Sequence, residues 1–298
     1  MRMGIDLGGT KIEAAALDAE GRVVDRQRTP TPGDYDSLLE AIGGLVRELE
    51  ARTQPMPRLG VCHPGSISPQ TGLIRNANSV WLNGRDLHAD LERALKRPVR
   101  MANDANCLAL SEATDGAGAG FGVVFAAILG TGCGGGVVVD GRLLEGRNGM
   151  AAEWGHNPLP WARPEEYPGQ ACWCGRIGCL ETWISGPGLE GDFARATGRK
   201  LRAPEIQALS DNGDAQAAAA LDRHADRTAR ALAHLCHIID PDVIVLGGGA
   251  SNLPGLAEGL TDRIRPYAFS DVFDTPVRRA VHGDSSGVRG AAWLWPPD

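Results

Sequence analysis

The chain has 298 residues, 43% hydrophobic and 22% charged, with a formal net charge of -7 at pH 7. Single cores stop growing near about 250 to 300 residues, so this length suits two domains sharing a cleft, and the composition excludes disorder as a main theme. The acidic balance, the lack of a basic run and the few aromatics argue against a nucleic-acid surface, and no window reaches the roughly 18 apolar residues of a membrane span. The start, MRMGIDLGG, lacks the apolar run of a signal peptide, and a cytosolic location is expected.

Residues 1–7, MRMGIDL, read as a strand, GGT as a tight turn and KIEAAAL as a second strand; DAEG is a hairpin turn and RVVDRQRT a third strand. A helix is predicted over residues 36–52, a strand over 58–65, a helix over 86–97, a strand over 98–104, and a helix starting at Ala105. The opening order then returns at residues 122–146 as GVVFAAIL, GTG, CGGGVVV, DG and RLLEG. A helix over 216–239, the strand DVIVLGGG at 242–249 and a helix over 253–265 follow. Two copies of one meander predict a duplicated α/β architecture. The expected domains are residues 1–111 and 112–298, with a last helix over about 285–298 packing back on the first domain.

Gly8, Gly9 and Thr10 join two strands, as do Gly130, Thr131 and Gly132. A Walker loop or a dinucleotide fingerprint runs from a strand into a helix instead, so both are excluded. Two readings remain: plain turns, or phosphates held by hairpin amides with Lys11 and the Thr10 hydroxyl alongside. A third loop, Gly247, Gly248 and Gly249, does lead from a strand to a helix. Three such loops would suit a nucleoside triphosphate.

Of seven cysteines, three crowd into QACWCGRIGCLET as Cys172, Cys174 and Cys179. Three thiolates cannot close a tetrahedral metal site, so they either recruit a fourth ligand or are buried thiols of a Gly-rich turn. Cys62, Cys107, Cys133 and Cys236 sit in strand or helix patterns and read as core. Asp104, between a strand and a helix, is either a helix cap or a reactive carboxylate.

DLGGTK, the GTG turn, EWGH at 153–156, CWCGRIGCLE at 172–181 and DPDVIVLGGG at 240–249 resemble the ROK (repressor, open reading frame, kinase) family of bacterial sugar kinases, in order and across essentially the whole chain. GSISPQTGLIRNANSVWLNG, EWGHNPLPW and GDSSGVRGAAWLWP are most similar to its fructokinase, or manno(fructo)kinase, branch. The resemblance implies the actin-like, ribonuclease-H-like ATPase fold, and ATP with Mg²⁺ phosphorylating the 6-hydroxyl of fructose, with mannose as a further substrate. An N-acetylhexosamine kinase or glucokinase of the same family is the alternative, and a non-catalytic sugar-sensing regulator the alternative of another class. Family repressors carry a helix-turn-helix ahead of this fold; the chain opens on the first strand, so none is expected. A homodimer is the expected assembly.

The family pattern also implies roles residue by residue. It places a structural zinc on His156, Cys172, Cys174 and Cys179, and makes Asp104 the base. Asn103, Asp104, Glu153, His156 and Glu181 meet the sugar. Asn78, in a loop with Asn76, Ser79, Trp81 and Asn83, is assigned there too. Asp6 is the Mg²⁺ partner, through water, its other reading being a turn-capping aspartate.

Overall fold

The computed structural model describes residues 1–296. It divides into two compact units: Met1–Ala119, Gly141–Ala151 and His282–Asp298 form unit 1, and Gly120–Asp140 with Ala152–Val281 form unit 2. The expected boundary stood at 111/112; the observed first crossing lies at 119/120. The last helix forms over Ser286–Trp293 and belongs to unit 1, while residues 297–298 lie outside the described residues.

Unit 1 contains β1 (Arg2–Leu7), β2 (Lys11–Leu17), β3 (Val23–Pro30), α1 (Tyr35–Arg52), β4 (Leu59–His63), a small hairpin of β5 (Ser66–Ile67) and β6 (Ile74–Arg75), α2 (Leu87–Leu95), β7 (Val99–Asn103) and α3 (Asp104–Asp115). The sheet order is β3-β2-β1-β4-β7. The first three strands form an antiparallel meander, and β4 and β7 continue the sheet in parallel. Helix α1 is capped by Asp34, whose carboxylate accepts the Ser37 N–H at 3.0 Å, and it buries Leu38, Ile42, Leu45, Val46 and Leu49 along one stripe.

Helix α9 (Ser286–Trp293), reached after β10 (Arg142–Leu143) and the whole of unit 2, lies on this sheet because glycine removes the obstacle. A Cβ on Gly60 would stand 1.7 Å from the Ala291 carbonyl oxygen, and one on Gly4 would stand 1.9 Å from that of Val288. The Trp295 indole N–H donates to Leu59 O at 2.7 Å and secures the exit.

Unit 2 contains β8 (Val123–Leu129), β9 (Cys133–Val139), α4 (Glu181–Ile184), α5 (Gly186–Thr197), α6 (Ala203–Asp211), α7 (Ala215–Ile239), β11 (Val243–Gly247), α8 (Leu256–Ile264) and β12 (Val277–Arg279). β8 and β9 are antiparallel, and β11 and β12 extend the sheet in parallel, repeating the plan of unit 1. Helices α5 and α6 are absent from the sequence reading. α5 begins GPG, which looks like a loop, yet Ser185 caps it by accepting the Gly188 N–H at 3.1 Å, and proline is favoured in a first helical turn. Long α7 carries Arg227 and Arg230 into the interior, where they pair with Glu166 and with Asp192 and Asp226 respectively. Among the described residues no helix is long and apolar enough to cross a membrane.

Candidate active site and metal centre

In unit 1 three parallel strands end side by side. Asp6 pairs with Cys62, Cys62 with Ala102 and His63 with Asn103, so the carboxyl ends of β1, β4 and β7 align. Open α/β sheets bind ligands at such ends. Helix α3 starts at Asp104, one residue before its expected start. The cap is Asn103, whose Oδ1 accepts the Asn106 N–H at 2.9 Å. This corrects the capping reading of Asp104, whose carboxylate is instead exposed and accepts the Ala105 N–H at 2.8 Å. Surrounding protein mass pushes its pKa above the usual carboxylate range, against the pull of that amide.

Asp6 is half-buried, and burial pushes its carboxyl up to about 6; the charges of Glu13 and Asp104 add to the rise, while the Cys62 thiol and Lys11 oppose it. Its carboxylate rests on the first turn of α9, where a Cβ on Gly287 would stand 2.5 Å from Oδ2. His63, beside Asn103, is buried and held neutral, its pKa pushed down to about 4 by burial.

The Gly8–Thr10 turn is clasped by Thr31, whose hydroxyl donates to Gly8 O at 2.7 Å and whose N–H donates to Thr10 O at 3.0 Å. A Cβ on Gly9 would meet nothing within 4 Å, so this backbone is open to a ligand. Lys11 Nζ lies 3.8 Å from Glu13 Oε2. In the 76–83 loop Asn78 is exposed, but Asn83 spends its amide on Ala77, accepting at 2.9 Å and donating at 3.1 Å, and Trp81 packs against the unit 1 core.

In unit 2 the second and third glycine loops meet. Gly248 has φ +84°, and a Cβ there would stand 2.7 Å from the Leu129 carbonyl and 2.9 Å from Gly130 N. Only glycine permits this approach. The Gly186 N–H, at the start of α5, donates to Gly130 O at 2.9 Å. Gly130, the first residue of the second loop, therefore sits against Gly248 of the third.

The Glu153–His156 segment lies on β9: a Cβ on Gly155 would stand 1.9 Å from Cys133 O, and the Trp154 indole donates to Gly134 O at 2.8 Å. Glu153 is exposed there. Glu181 is not. Its Oε1 accepts the Trp173 indole N–H at 2.6 Å and its Oε2 accepts the Cys133 N–H at 3.0 Å; these two bonds fix the carboxylate and leave each oxygen a further lone pair for a hydroxyl.

His156, Cys172, Cys174 and Cys179 converge, with one ligand atom from each within 4.8 Å of all the others. His156 Nδ1 is 3.6 Å from Cys172 Sγ, and the Cys174 and Cys179 sulfurs are 3.6 Å apart. Tetrahedral zinc with bonds of about 2.3 Å to sulfur and about 2.0 Å to nitrogen requires edges of roughly 3.5 to 3.8 Å. The donor set and these two edges fit that ion. Gly175 and Gly178, at φ +88° and +77°, turn the loop, which the Cys172 N–H closes by donating to Arg176 O at 2.8 Å. The Arg176 amide draws the Cys174 thiol down to about 7. The other four cysteines are buried and free.

The sequence reading missed Glu13, Thr31 and the partners of Glu181. A charged residue inside the apolar run KIEAAAL is the signal that could have found Glu13.

The ROK family model matches residues 2–297. The N-acetyl-D-glucosamine kinase of Escherichia coli strain K12 is 39% identical over 299 residues, covering 99% of each chain. The ROK hexokinase of Thermus thermophilus superposes with a TM-score of 0.88 at 35% identity, covering 98% of this chain and 96% of that one. A ROK family glucokinase from Streptomyces griseus, in complex with glucose and AMPPNP, gives 0.75 at 28% identity, with 98% of both chains covered. The repeated meander with parallel extensions is the actin-like, ribonuclease-H-like ATPase fold. Matched from end to end in family, sequence and fold, the chain belongs to the ROK family, as one of its sugar kinases.

Proposed function

We propose that this protein transfers the γ-phosphoryl group of ATP to the 6-hydroxyl of N-acetyl-D-glucosamine. The observation that carries the choice of sugar is the 39% identity, over the full length, to kinases named for that substrate. It moves fructose, first in the sequence reading, to second place, where the stretches at 65–84 and 153–161 keep it.

Phosphoryl transfer asks for positioning, charge and a proton acceptor rather than covalent help. Asp104 takes the proton of the 6-hydroxyl as that oxygen bonds to the γ-phosphorus and ADP departs. Its freedom from the helix cap and its raised pKa support that role. Asn103, Asn78 and Glu153 bind sugar hydroxyls. His156 serves two partners, because Nδ1 faces Cys172 and leaves Nε2 for the sugar. Glu181, its carboxylate fixed by the Cys133 and Trp173 N–H groups, accepts a sugar hydroxyl on a remaining lone pair. Gly8–Lys11, Gly130–Gly132 and Gly247–Gly249 hold the nucleotide, and Asp6 would hold Mg²⁺, through water, where the ion would offset phosphate charge. Zinc on His156, Cys172, Cys174 and Cys179 would have no open position, and so would tie the cysteine loop to the EWGH segment rather than activate water.

A coupled ADP-release assay over N-acetylglucosamine, N-acetylmannosamine, glucose, mannose and fructose tests the reading. The highest kcat/KM is expected on N-acetylglucosamine; a maximum on fructose replaces it with the second reading.

A further inference from the structure

Five charged side chains share one face of the β1-β2-β3 meander. Asp6 pairs with Glu13, and Glu13 with Arg28. Residues opposite one another in a ladder, and residues two apart along a strand, point to the same face, so Lys11 and Arg26 join them. Glu13 is only 2% exposed, which an isolated carboxylate does not tolerate. Three cations compensate it: Arg28 Nε at 2.7 Å, Arg26 Nε at 3.2 Å and Lys11 Nζ at 3.8 Å.

One cation would neutralise Glu13 and a second would offset Asp6; the third leaves one surplus positive charge, on a face continuous with the Gly8–Thr10 turn. The cationic side chains remain accessible, at 46%, 34% and 41% for Arg28, Arg26 and Lys11. Both arginines meet Glu13 through Nε. Their Nη groups, the ends of the fork that suits a phosphate, hydrogen-bond to none of the described residues.

We infer that Arg26 and Arg28, oriented by Glu13, extend the phosphate site beyond the glycine turn and Lys11, and bind a phosphate group of the phosphoryl donor or of the phosphorylated product. The ligand's identity rests on the kinase reading; the anion-binding face rests on the residues alone. Glu13 is a positioning residue, which explains a carboxylate in an alanine-rich strand.

Calorimetric titration of the full chain tests this with ATP, ADP, N-acetylglucosamine 6-phosphate and, as the neutral control, the best sugar of the substrate panel. The variants are Arg26→Gln, Arg28→Gln, their double and Arg28→Lys. The double variant should raise Kd for a phosphate-bearing probe by about 10-fold or more, the scale of one lost charge-assisted hydrogen bond, with the neutral sugar unchanged. Arg28→Lys should fall between wild type and Arg28→Gln, since it keeps the charge and loses the fork. A change for ATP and ADP places the donor on this face; a change confined to the sugar phosphate places the product there. Unchanged Kd for every phosphate probe overturns the inference. So does an equal loss for the neutral sugar, which would mark the arginines as structural; the single variants give the same reading if the double does not fold. A wild type that releases no ADP with any sugar defeats the kinase reading, while the binding comparison still decides this one.

Discussion

Asp104 and Gly9 are the residues whose roles the geometry isolates best. Asn103 performs the capping, so Asp104→Asn leaves the helix start intact. Its kcat should fall by roughly 10²-fold or more, the usual loss for a general base, with sugar Kd and melting temperature little changed. Near-normal turnover would remove Asp104 from the chemistry. At Gly9 a side chain meets only open space, so Gly9→Val should fold and obstruct only a ligand. ATP affinity should drop while sugar binding persists, as titration of each would show; parallel loss of both counts against the phosphate turn. The ND pair is legible in the residues themselves because it sits between a strand and a helix. Which of the two caps the helix is not, since both are good caps and only the backbone at the boundary chooses.

The cysteine loop and helix α7 carry the next two predictions. Purified protein should contain one zinc per chain by metal analysis, and Cys174→Ser should lose it and raise KM for the sugar while ATP still binds, because a site short of one ligand loses affinity steeply. Active protein without zinc would end the proposal. Around α7, acid should destabilise in two steps. Burial holds His224 at about 4 against an ordinary 6.5, so below pH 6.5 the unfolded chain binds a proton that the fold refuses, and stability falls until pH 4. Burial would raise Glu166, but hydrogen bonds from Arg230, the Arg163 amide and Arg227 outweigh it and hold it at about 2 against 4.5; its contribution is present above pH 4.5 and lost toward pH 2. The urea midpoint should therefore decline from pH 6.5 downward, and His224→Asn should flatten the upper part of that decline. A His224→Asn profile with the same slope as wild type between pH 7 and 4 would mean the imidazole is not buried neutral, since Asp6 and His63 also act in that window and are common to both proteins.

Unit 1 is assembled from both ends of the chain, and its weakest tolerance is at the contact between them. Gly60→Ala would force a methyl group into the Ala291 carbonyl of α9, a backbone atom that cannot swing aside. Overpacking of this kind costs about 1 to 3 kcal/mol, and a urea-unfolding experiment should show at least that loss. A variant as stable as wild type would show that α9 can lift from the sheet without penalty.

What was legible in the residues was local. The strand, glycine-turn, strand order of 2–17 and its return at 123–139, the α1, α2 and α7 stripes, and the three cysteines on two glycines are written within windows of ten to twenty residues. There the hydrophobic period, the turn glycines and the ligand spacing act without help from the rest of the chain. Packing settled everything that joins distant segments. Gly248 meets Gly130, Glu181 is anchored by Trp173 and Cys133, α9 lies across Gly4 and Gly60, and Glu13 gathers Lys11, Arg26 and Arg28. Each of those pairings depends on strand register and on which Cβ atoms are missing at a contact, and neither is a property of one stretch of sequence.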